Sequence, residues 1–237
     1  IIMKKTLVFG TIYLLFLASC AELQKVSEGI MTTDVIGQEK IADGLQQALI
    51  NGVNKKVSSL SKDNGFYSNE LVRIQLPEEL SKVENTLKSI GLGSLTEKAT
   101  KKLNETAAKA VGEATPIVLK AIQDMSFEDA KKILLGENDA ATTYLKTKTQ
   151  TELYQKFEPI VKNNFEKIGA DKIWKNLIQK YNQIPLTSQV NPNLTDYVTS
   201  EALKGVYQMI ELEEKEIRTN IKSRSTDVLR RVFALQD

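Results

Sequence analysis

The residues best suited to chemistry form an acidic cluster near the end of the chain, at Glu211, Glu213, Glu214 and Glu216. Two carboxylates about 5–10 Å apart can hydrolyse a glycosidic bond, and that reaction needs no histidine. Glu214 also lies four residues before Arg218, which is the spacing of an ion pair on the solvated face of a helix. We therefore expect structural pairing here, with a carboxylate-based cell-wall glycan enzyme as the remote alternative.

Arginine is concentrated at the C-terminal end, since only Arg73 of the five arginines lies outside the last twenty residues. The other four are Arg218, Arg224, Arg230 and Arg231. An arginine patch can hold phosphate or carboxylate, such as a lipid headgroup, by bidentate hydrogen bonds. The alternative, which we favour, is stabilisation of helix ends together with pairing to nearby acids.

Threonine is frequent around a predicted helix junction, at Thr142, Thr143, Thr147, Thr149 and Thr151. A surface site lined by hydroxyl groups is conceivable there. Capping and hydrogen bonding between helices explain such residues more simply.

Composition excludes more chemistry than it suggests. The chain has no histidine and a single cysteine, Cys20. Histidine-based acid–base catalysis, Ser-His-Asp and Cys-His nucleophiles, nearly all zinc sites and any internal disulfide are thereby excluded. No phosphate-binding loop, dinucleotide glycine pattern, calcium loop or aromatic–basic nucleic-acid surface is present either. We expect no catalysis, no cofactor, no metal and no nucleic-acid partner.

The first twenty residues have the pattern of an export signal. Lys4 and Lys5 precede an apolar run, and the run ends in Leu-Ala-Ser-Cys at Cys20. This pattern resembles a bacterial lipobox, in which the signal is cleaved before the cysteine and the cysteine is acylated. Cleavage removes both excess positive charges and leaves 218 of the 237 residues with 30 basic and 30 acidic side chains. Ala21 resembles the residue found there in outer-membrane lipoproteins.

We divide the chain into a lipoprotein signal peptide (1–19), a lipidated cysteine with its tether (20–33) and one helical domain (34–237). The apolar spacing from residue 34 onwards predicts an all-α fold of eight or nine helices. Residues 66–76 alternate weakly, so a short β-hairpin and an ordered loop both remain open. Pro77 is predicted to open a helix, and Pro116 either kinks a helix or starts a new one.

Predicted helix ends rest on capping residues. A capping box at Ser126–Asp129 and a second one at Thr149–Glu152 each predict a new helix. Gly169 is predicted to end the helix that follows the second box, and Asn193 to begin the last long helix. Asn138 or Asp139 is predicted to cap the helix between the two boxes.

Several blocks of sequence, taken in order, resemble the bacterial family known as domain of unknown function 4197. The blocks lie at 41–53, 73–93, 125–149, 157–161, 196–218 and 227–233. The resemblance implies a helical fold and an exported protein or lipoprotein, and it assigns no catalytic residue. Its motif residues are Asp129, Gly136, Ala140, Ala141, Thr142, Tyr144, Glu213, Glu214 and Arg218.

The leading functional hypothesis is a lipid-anchored, periplasm-facing binding module for an apolar or lipid-like ligand. The alternative is a scaffold that contacts other envelope proteins. A speculative surface site consists of motif residues with polar side chains: Asp129, Thr142, Tyr144, Glu213, Glu214 and Arg218.

Overall fold

A computed structural model describes residues 38–76, 93–183, 185–186, 189–224 and 226–234, and no β-strand occurs among them. Helix α1 (Gln38–Gly52) continues through a π-helical turn (Val53–Val57) into a short last stretch (Ser58–Leu60). The other helices are α2 (Gly93–Gln123), α3 (Phe127–Leu134), α4 (Ala140–Ile168), α5 (Ala170–Asn182), α6 (Leu194–Thr219) and α7 (Asp227–Phe233), with a 3₁₀ turn (Ile221–Ser223) before α7.

The predicted all-α single domain is confirmed. The described residues contain seven α-helices when α1 and its continuation count as one, against the eight or nine predicted. The helix predicted from Pro77 lies outside the described residues. The predicted signal peptide, Cys20 and the tether lie outside them as well.

Helix α4 is central to the fold because it packs against both other long helices, α2 and α6. Every fourth residue along it is buried, which gives one straight row of core side chains. The row consists of Leu145, Thr149, Leu153, Phe157, Val161 and Phe165. Its apolar members belong to a single hydrophobic core to which the other helices contribute.

Residues 66–76 form turns and an extended segment, not a hairpin, so the ordered loop is the correct alternative. Phe66, Val72 and Ile74 are buried, which accounts for the weak alternation in the sequence. The buried side chain of Asn104 replaces the missing strand partner. Its Oδ1 accepts from the Ile74 N–H at 2.8 Å, and its Nδ2 donates to the Ile74 carbonyl at 2.8 Å.

The helix break predicted at Thr149–Glu152 is wrong, because α4 runs without interruption from Ala140 to Ile168. The Thr149 hydroxyl donates back to the Leu145 carbonyl at 2.7 Å. In an uninterrupted helix the amides two and three residues ahead already donate to carbonyls four residues back, so none is left for Thr149 to cap. Pro116 similarly lies inside one helix, α2, and starts no new one.

Three of the predicted helix ends are confirmed. Ser126 and Asp129 form both hydrogen bonds of a capping box at the start of α3. Gly169 ends α4 with φ of 67°, and Asn193 caps α6 by accepting from the Asp196 N–H. These caps need only residues close together in sequence, so local pattern suffices to predict them.

Gly205 in α6 gives the first testable prediction. A Cβ atom there would lie 2.9 Å from Phe66 Cε1 and 3.2 Å from Val72 Cβ, both of which are buried. Overpacking lowers the free energy of unfolding by about 1–3 kcal/mol. The higher helix propensity of alanine offsets about 1 kcal/mol of this loss. We expect Gly205→Ala to lower the free energy of unfolding by about 1 kcal/mol in chemical denaturation.

Gly112 in α2 provides the matched control, because a Cβ there would come within 4 Å of just one of the described side chains, at 3.4 Å from Ser61 Cβ. We expect Gly112→Ala to leave stability unchanged or raise it by up to about 1 kcal/mol. Equal effects of the two substitutions would contradict the close packing of α6 on the 66–76 loop.

Candidate functional site

Helices α4 and α6 lie antiparallel, as three side-chain contacts between them show. Thr142 contacts Glu214, Thr149 contacts Tyr207, and the Tyr154 hydroxyl donates to Asp196. Residue numbers rise along α4 as they fall along α6. The contacts hold the two helices in one register over much of their length.

The start of α4 is capped by a residue that is distant in sequence. Asp139 occupies the N-cap position, as predicted, but its side chain makes no capping hydrogen bond. The Glu214 carboxylate accepts instead, from the Ala141 and Thr142 N–H groups at 2.8 Å each and from the Thr142 hydroxyl at 2.8 Å. A carboxylate at this position also interacts favourably with the positive end of the helix dipole.

Arg218 joins the same carboxylate to the end of the preceding helix. Its Nε and one terminal nitrogen donate to Glu214 Oε1 at 3.1 and 2.8 Å. The guanidinium also donates to the Ile133 carbonyl at 2.8 Å and the Leu134 carbonyl at 3.3 Å, in the last turn of α3. The Glu214–Arg218 pair thus satisfies backbone groups at both ends of the loop between α3 and α4.

The pair is buried and not solvated, so the expected surface ion pair is corrected. The side chains of Arg218 and Glu214 are only 4% and 3% exposed. Burying two charges is costly unless their geometry is good and further hydrogen bonds satisfy their remaining atoms. Here the carbonyls of α3 and the amides of α4 supply those bonds.

The C-terminal arginines do not form a single surface patch. Arg224 is 1% exposed and donates to the Ile217 and Arg218 carbonyls, at 3.1 and 3.0 Å, at the end of α6. Arg230 pairs with Asp227 at the surface. Arg218 and Arg224 therefore stabilise helix ends by donating to their carbonyls, which is the alternative that we favoured.

Glu213 points away from its neighbour, towards the π-helical turn. Its Oε1 lies 3.3 Å from Lys55 Nζ, and its Oε2 lies 3.8 Å from Lys56 Nζ. Gly52 leaves the space for this side chain, since a Cβ there would lie 2.9 Å from Glu213 Cγ. Oε2 is buried and accepts no hydrogen bond from the residues that the structure describes.

Asp129 and Tyr144 form a further, separate pair, with the Tyr144 hydroxyl 3.5 Å from Asp129 Oδ2. A hydrogen bond from Ser126 lowers the pKa of Asp129 below its ordinary value. Burial, followed by the charge of Asp129, raises the pKa of Tyr144. The predicted site residues therefore lie in three groups: Thr142 with Glu214 and Arg218, Asp129 with Tyr144, and Glu213 with the two lysines.

A groove of about 680 Å³ lies between α4 and α6. Its wall on α4 carries Lys146, Gln150 and Tyr154, and its wall on α6 carries Ser200, Lys204 and Gln208, each set at a spacing of four. Asp139, Thr142, Thr143, Leu203, Tyr207, Glu211 and Leu212 complete the lining. We name this surface the α4–α6 groove.

Sequence reasoning missed most of this lining, because exposed polar residues spaced by four also describe an ordinary solvated helix face. Four of its residues were singled out: Thr142 and Thr143 for capping or a hydroxyl-lined surface site, Asp139 as a helix cap and Glu211 in the acidic cluster. The signal that could have indicated the groove is a row of polar residues spaced by four on α4 and a second such row on α6. That signal becomes visible only when the register of the two helices is known.

Two tyrosines anchor the walls of the groove. The hydrogen bond from Tyr154 to Asp196, 2.5 Å long, raises the pKa of Tyr154 to about 12. Burial raises the pKa of Tyr207, whose hydroxyl lies 2.9 Å from that of Thr149. Both phenols thus stay protonated at neutral pH and act as hydrogen-bonding groups, not as bases.

The described part of the chain contains neither a metal-binding cluster nor a membrane span. No group of three or more acidic, cysteine or histidine side chains that could hold a metal occurs in the described ranges. Among the helices that the structure describes, none is both long enough and apolar enough to cross a bilayer.

Glu214→Gln tests the double helix cap. The amide would place a donor against the N–H groups of α4 and would leave the Arg218 charge without its carboxylate. Breaking a buried pair in this way costs about 3–5 kcal/mol, and we expect that loss in the free energy of unfolding.

Glu201→Gln is the matched control on the same helix, because Glu201 pairs with Lys204 at the surface, at 3.6 Å. Its expected cost is below about 1 kcal/mol. Similar losses in the two variants would show that the Glu214–Arg218 pair does not hold the ends of α3 and α4.

Comparison with known proteins identifies the family. A family model described as "Protein of unknown function (DUF4197)" matches residues 35–234, which include every residue of the α4–α6 groove and of the Glu214–Arg218 pair. No curated protein and no solved structure matches the chain. The chain therefore belongs to the DUF4197 family.

Proposed function

We propose that this protein is a lipid-anchored component of the bacterial cell envelope. The helical domain is a non-catalytic binding module, and the α4–α6 groove is its binding site. The observation that carries the proposal is the groove itself, with two matched polar walls and a volume of about 680 Å³.

The size and rigidity of the groove support a binding role. Ligand pockets generally measure about 300–1,000 Å³ and combine apolar surface with a few polar groups that orient the ligand. The α4–α6 groove has this mixture, with Leu203 and Leu212 beside amides, hydroxyls and charged groups. The Thr149–Tyr207 and Tyr154–Asp196 contacts hold its walls in place, so little conformational freedom is lost on binding.

The nature of the lining also bears on the ligand. An apolar or lipid-like ligand requires an apolar chamber between helices. The cavity beside Gly52, Glu213 and Glu214 has a volume of about 10 Å³, which is room for one water molecule at most. The polar side chains on both walls of the α4–α6 groove favour a ligand with polar groups along its length over a purely apolar one.

The environments of the two adjacent glutamates support a non-catalytic role. Glycoside hydrolases keep two carboxylates free on either side of the bond that is cleaved. The Glu214 carboxylate accepts from two backbone amides, one hydroxyl and Arg218, and Glu213 faces Lys55 and Lys56. Neither side chain lines the α4–α6 groove.

The anchor rests on the sequence from Lys4 to Cys20, with its basic start, apolar run and Leu-Ala-Ser-Cys ending. Ala21 favours the outer membrane, with the domain facing the periplasm. A single acyl chain binds a membrane only marginally, whereas two or three chains hold a protein firmly.

Cys20→Ser tests the anchor. We expect the variant to lose incorporation of labelled fatty acid, because no thiol remains to be acylated. Fractionation of cells should find the wild type in the outer membrane. The mass of the variant should show that it is not processed to the same lipidated form. Equal fatty-acid labelling of the two proteins would contradict a lipid anchor on this residue.

Photocrosslinking in intact cells tests the groove. A photoreactive phenylalanine analogue at position 150 replaces Gln150 within the groove, and the same analogue at position 131 replaces the exposed Lys131 of α3. We expect an adduct of reproducible mass from position 150 and none of that mass from position 131. A small ligand mass supports the binding module, whereas a protein mass supports the scaffold alternative.

A further inference from the structure

Two aliphatic side chains near the two ends of α5 are exposed. Ile173, in the first turn of the helix, is 70% exposed, and Leu186, in the segment after the helix, is fully exposed. They are the most exposed large hydrophobic side chains in the part of the chain that the structure describes. A surface that touches both therefore runs along α5. Single apolar side chains on a surface are ordinary, so their setting decides whether they have a role.

The backbone on both sides of Leu186 is held in place by one asparagine. The Asn182 Oδ1 accepts from the Val190 N–H at 2.9 Å, and its Nδ2 donates to the Val190 carbonyl at 2.8 Å. Leu186 itself has φ of 65°, which is unfavourable for a residue with a large side chain. Such conformations persist where the surrounding structure maintains them, and they are frequent at functional sites.

The charge around α5 is positive. Residues 160–193 contain five lysines and two acidic residues, so their net charge is +3, whereas the chain from Cys20 onwards is neutral. Lys172 and Lys175 are exposed on α5, and neither forms an ion pair within the described ranges. Basic side chains beside exposed aliphatic ones are typical of a helix that lies on an anionic membrane surface.

The acidic side chains near α5 are bound by other groups or partly buried. Glu166 forms an ion pair with a lysine of α4 at 3.9 Å, and Asp171 is half-buried. Asp196, at the start of α6, accepts hydrogen bonds from Tyr154 and Asn191. These groups therefore offset the positive charge of the α5 surface only in part.

The other exposed aliphatic side chains of the described ranges lie beside exposed acids. Three of them have an acid one or two residues away: Leu71 with Glu70, Leu135 with Glu137, and Leu212 with Glu211. Ile221 lies between Asn220 and Ser223, which both donate to the Glu216 carboxylate at 2.7 Å. An anionic surface would repel these acids, so α5 offers the better match to it.

We infer that α5 and Leu186 form a membrane-docking face, consisting of Lys172, Ile173, Lys175 and Leu186, that lies on an anionic bilayer. The two aliphatic side chains enter the headgroup region, and the two lysines interact with lipid phosphates. The inference rests on the proposed lipid anchor and adds the face that the domain turns towards the membrane.

The anchor and the docking face are compatible in length. The chain from Cys20 to Gln38 can extend to about 60 Å at about 3.3 Å per residue, so it allows α5 to reach the bilayer. Docking also orients the α4–α6 groove. Trp174 of α5 donates to the Asn191 carbonyl at 3.0 Å, and Asn191 shares Asp196 with Tyr154. The Tyr154 end of the groove is therefore the end nearer the membrane.

A fluorescent label on α5 tests the docking. Asn176 is exposed on α5, and Asn176→Cys supplies the one free thiol in a protein whose Cys20 is acylated. The full-length acylated protein carries nitrobenzoxadiazole on this thiol and is reconstituted in vesicles of phosphatidylethanolamine and phosphatidylglycerol. We expect lipids with a nitroxide headgroup to quench this label at least twofold more than the same label on Lys131→Cys, the matched position on α3.

Serine substitutions test the aliphatic contacts. Ile173→Ser combined with Leu186→Ser should reduce the quenching at position 176 to that at position 131, because no apolar side chain then enters the headgroup region. The matched control is Leu135→Ser combined with Ile221→Ser, which removes two other exposed aliphatic side chains and should leave the quenching unchanged.

Charge reversal tests the lysines. Lys172→Glu combined with Lys175→Glu should lower the ratio of docked to undocked protein at least about tenfold, since each basic side chain contributes to the attraction by anionic lipid. Lys131→Glu combined with Lys132→Glu makes the same change in net charge on α3 and should have little effect.

The remaining outcomes separate the docking from the anchor. Equal quenching at positions 176 and 131 in protein that stays on the vesicles overturns the docking alone, as does quenching at 176 that survives both sets of α5 substitutions. A protein adduct, in place of a lipid adduct, from a photoreactive analogue at position 173 in cells also overturns it. Protein that washes off the vesicles overturns the anchor, and the docking that rests on it falls as well.

Discussion

The buried Glu214–Arg218 pair is the interaction on which the arrangement of the central helices depends. The first N–H groups and the last carbonyl groups of an α-helix have no hydrogen-bond partner within the helix. Leaving such groups unpaired costs free energy when they are buried. In this pair Glu214 accepts from the N–H groups at the start of α4, and Arg218 donates to carbonyls at the end of α3. Both residues lie on α6, which is distant from α3 and α4 in sequence. The pair thereby joins the end of α3 to the start of α4, where the lining of the α4–α6 groove begins at Asp139. The charges are retained inside the protein because each also satisfies the backbone.

Sequence reasoning succeeded where structure is determined locally. The all-α class follows from helical spacing, and the caps at Ser126, Gly169 and Asn193 use partners within a few residues. It failed where a distant side chain takes over a local role. Glu214 replaces the capping side chain of Asp139, and no pattern around either residue reveals this.

The same reason explains the other differences. The alternation near Ile74 was ambiguous because Asn104, on α2, satisfies the backbone that a neighbouring strand would otherwise pair. The pairing of Glu214 with Arg218 was correctly inferred from their spacing, but its burial was not, since spacing along one helix does not say what covers that helix. The candidate groove shares this difficulty, because Gln150 and Gln208 line one groove only through the packing of α4 on α6.

Thr149 has a consequence for the uniqueness of the fold. It is the one polar member of a row in which every other residue, from Leu145 to Phe165, is apolar. Apolar contacts are not directional, so they define the register of two packed helices less sharply than a hydrogen bond does. A slide here would separate the Thr149 and Tyr207 hydroxyls and bury the phenol without a partner. Together with the Thr142–Glu214 and Tyr154–Asp196 contacts, this hydrogen bond favours a single alignment of α4 and α6, much as a buried asparagine fixes the register of a coiled coil.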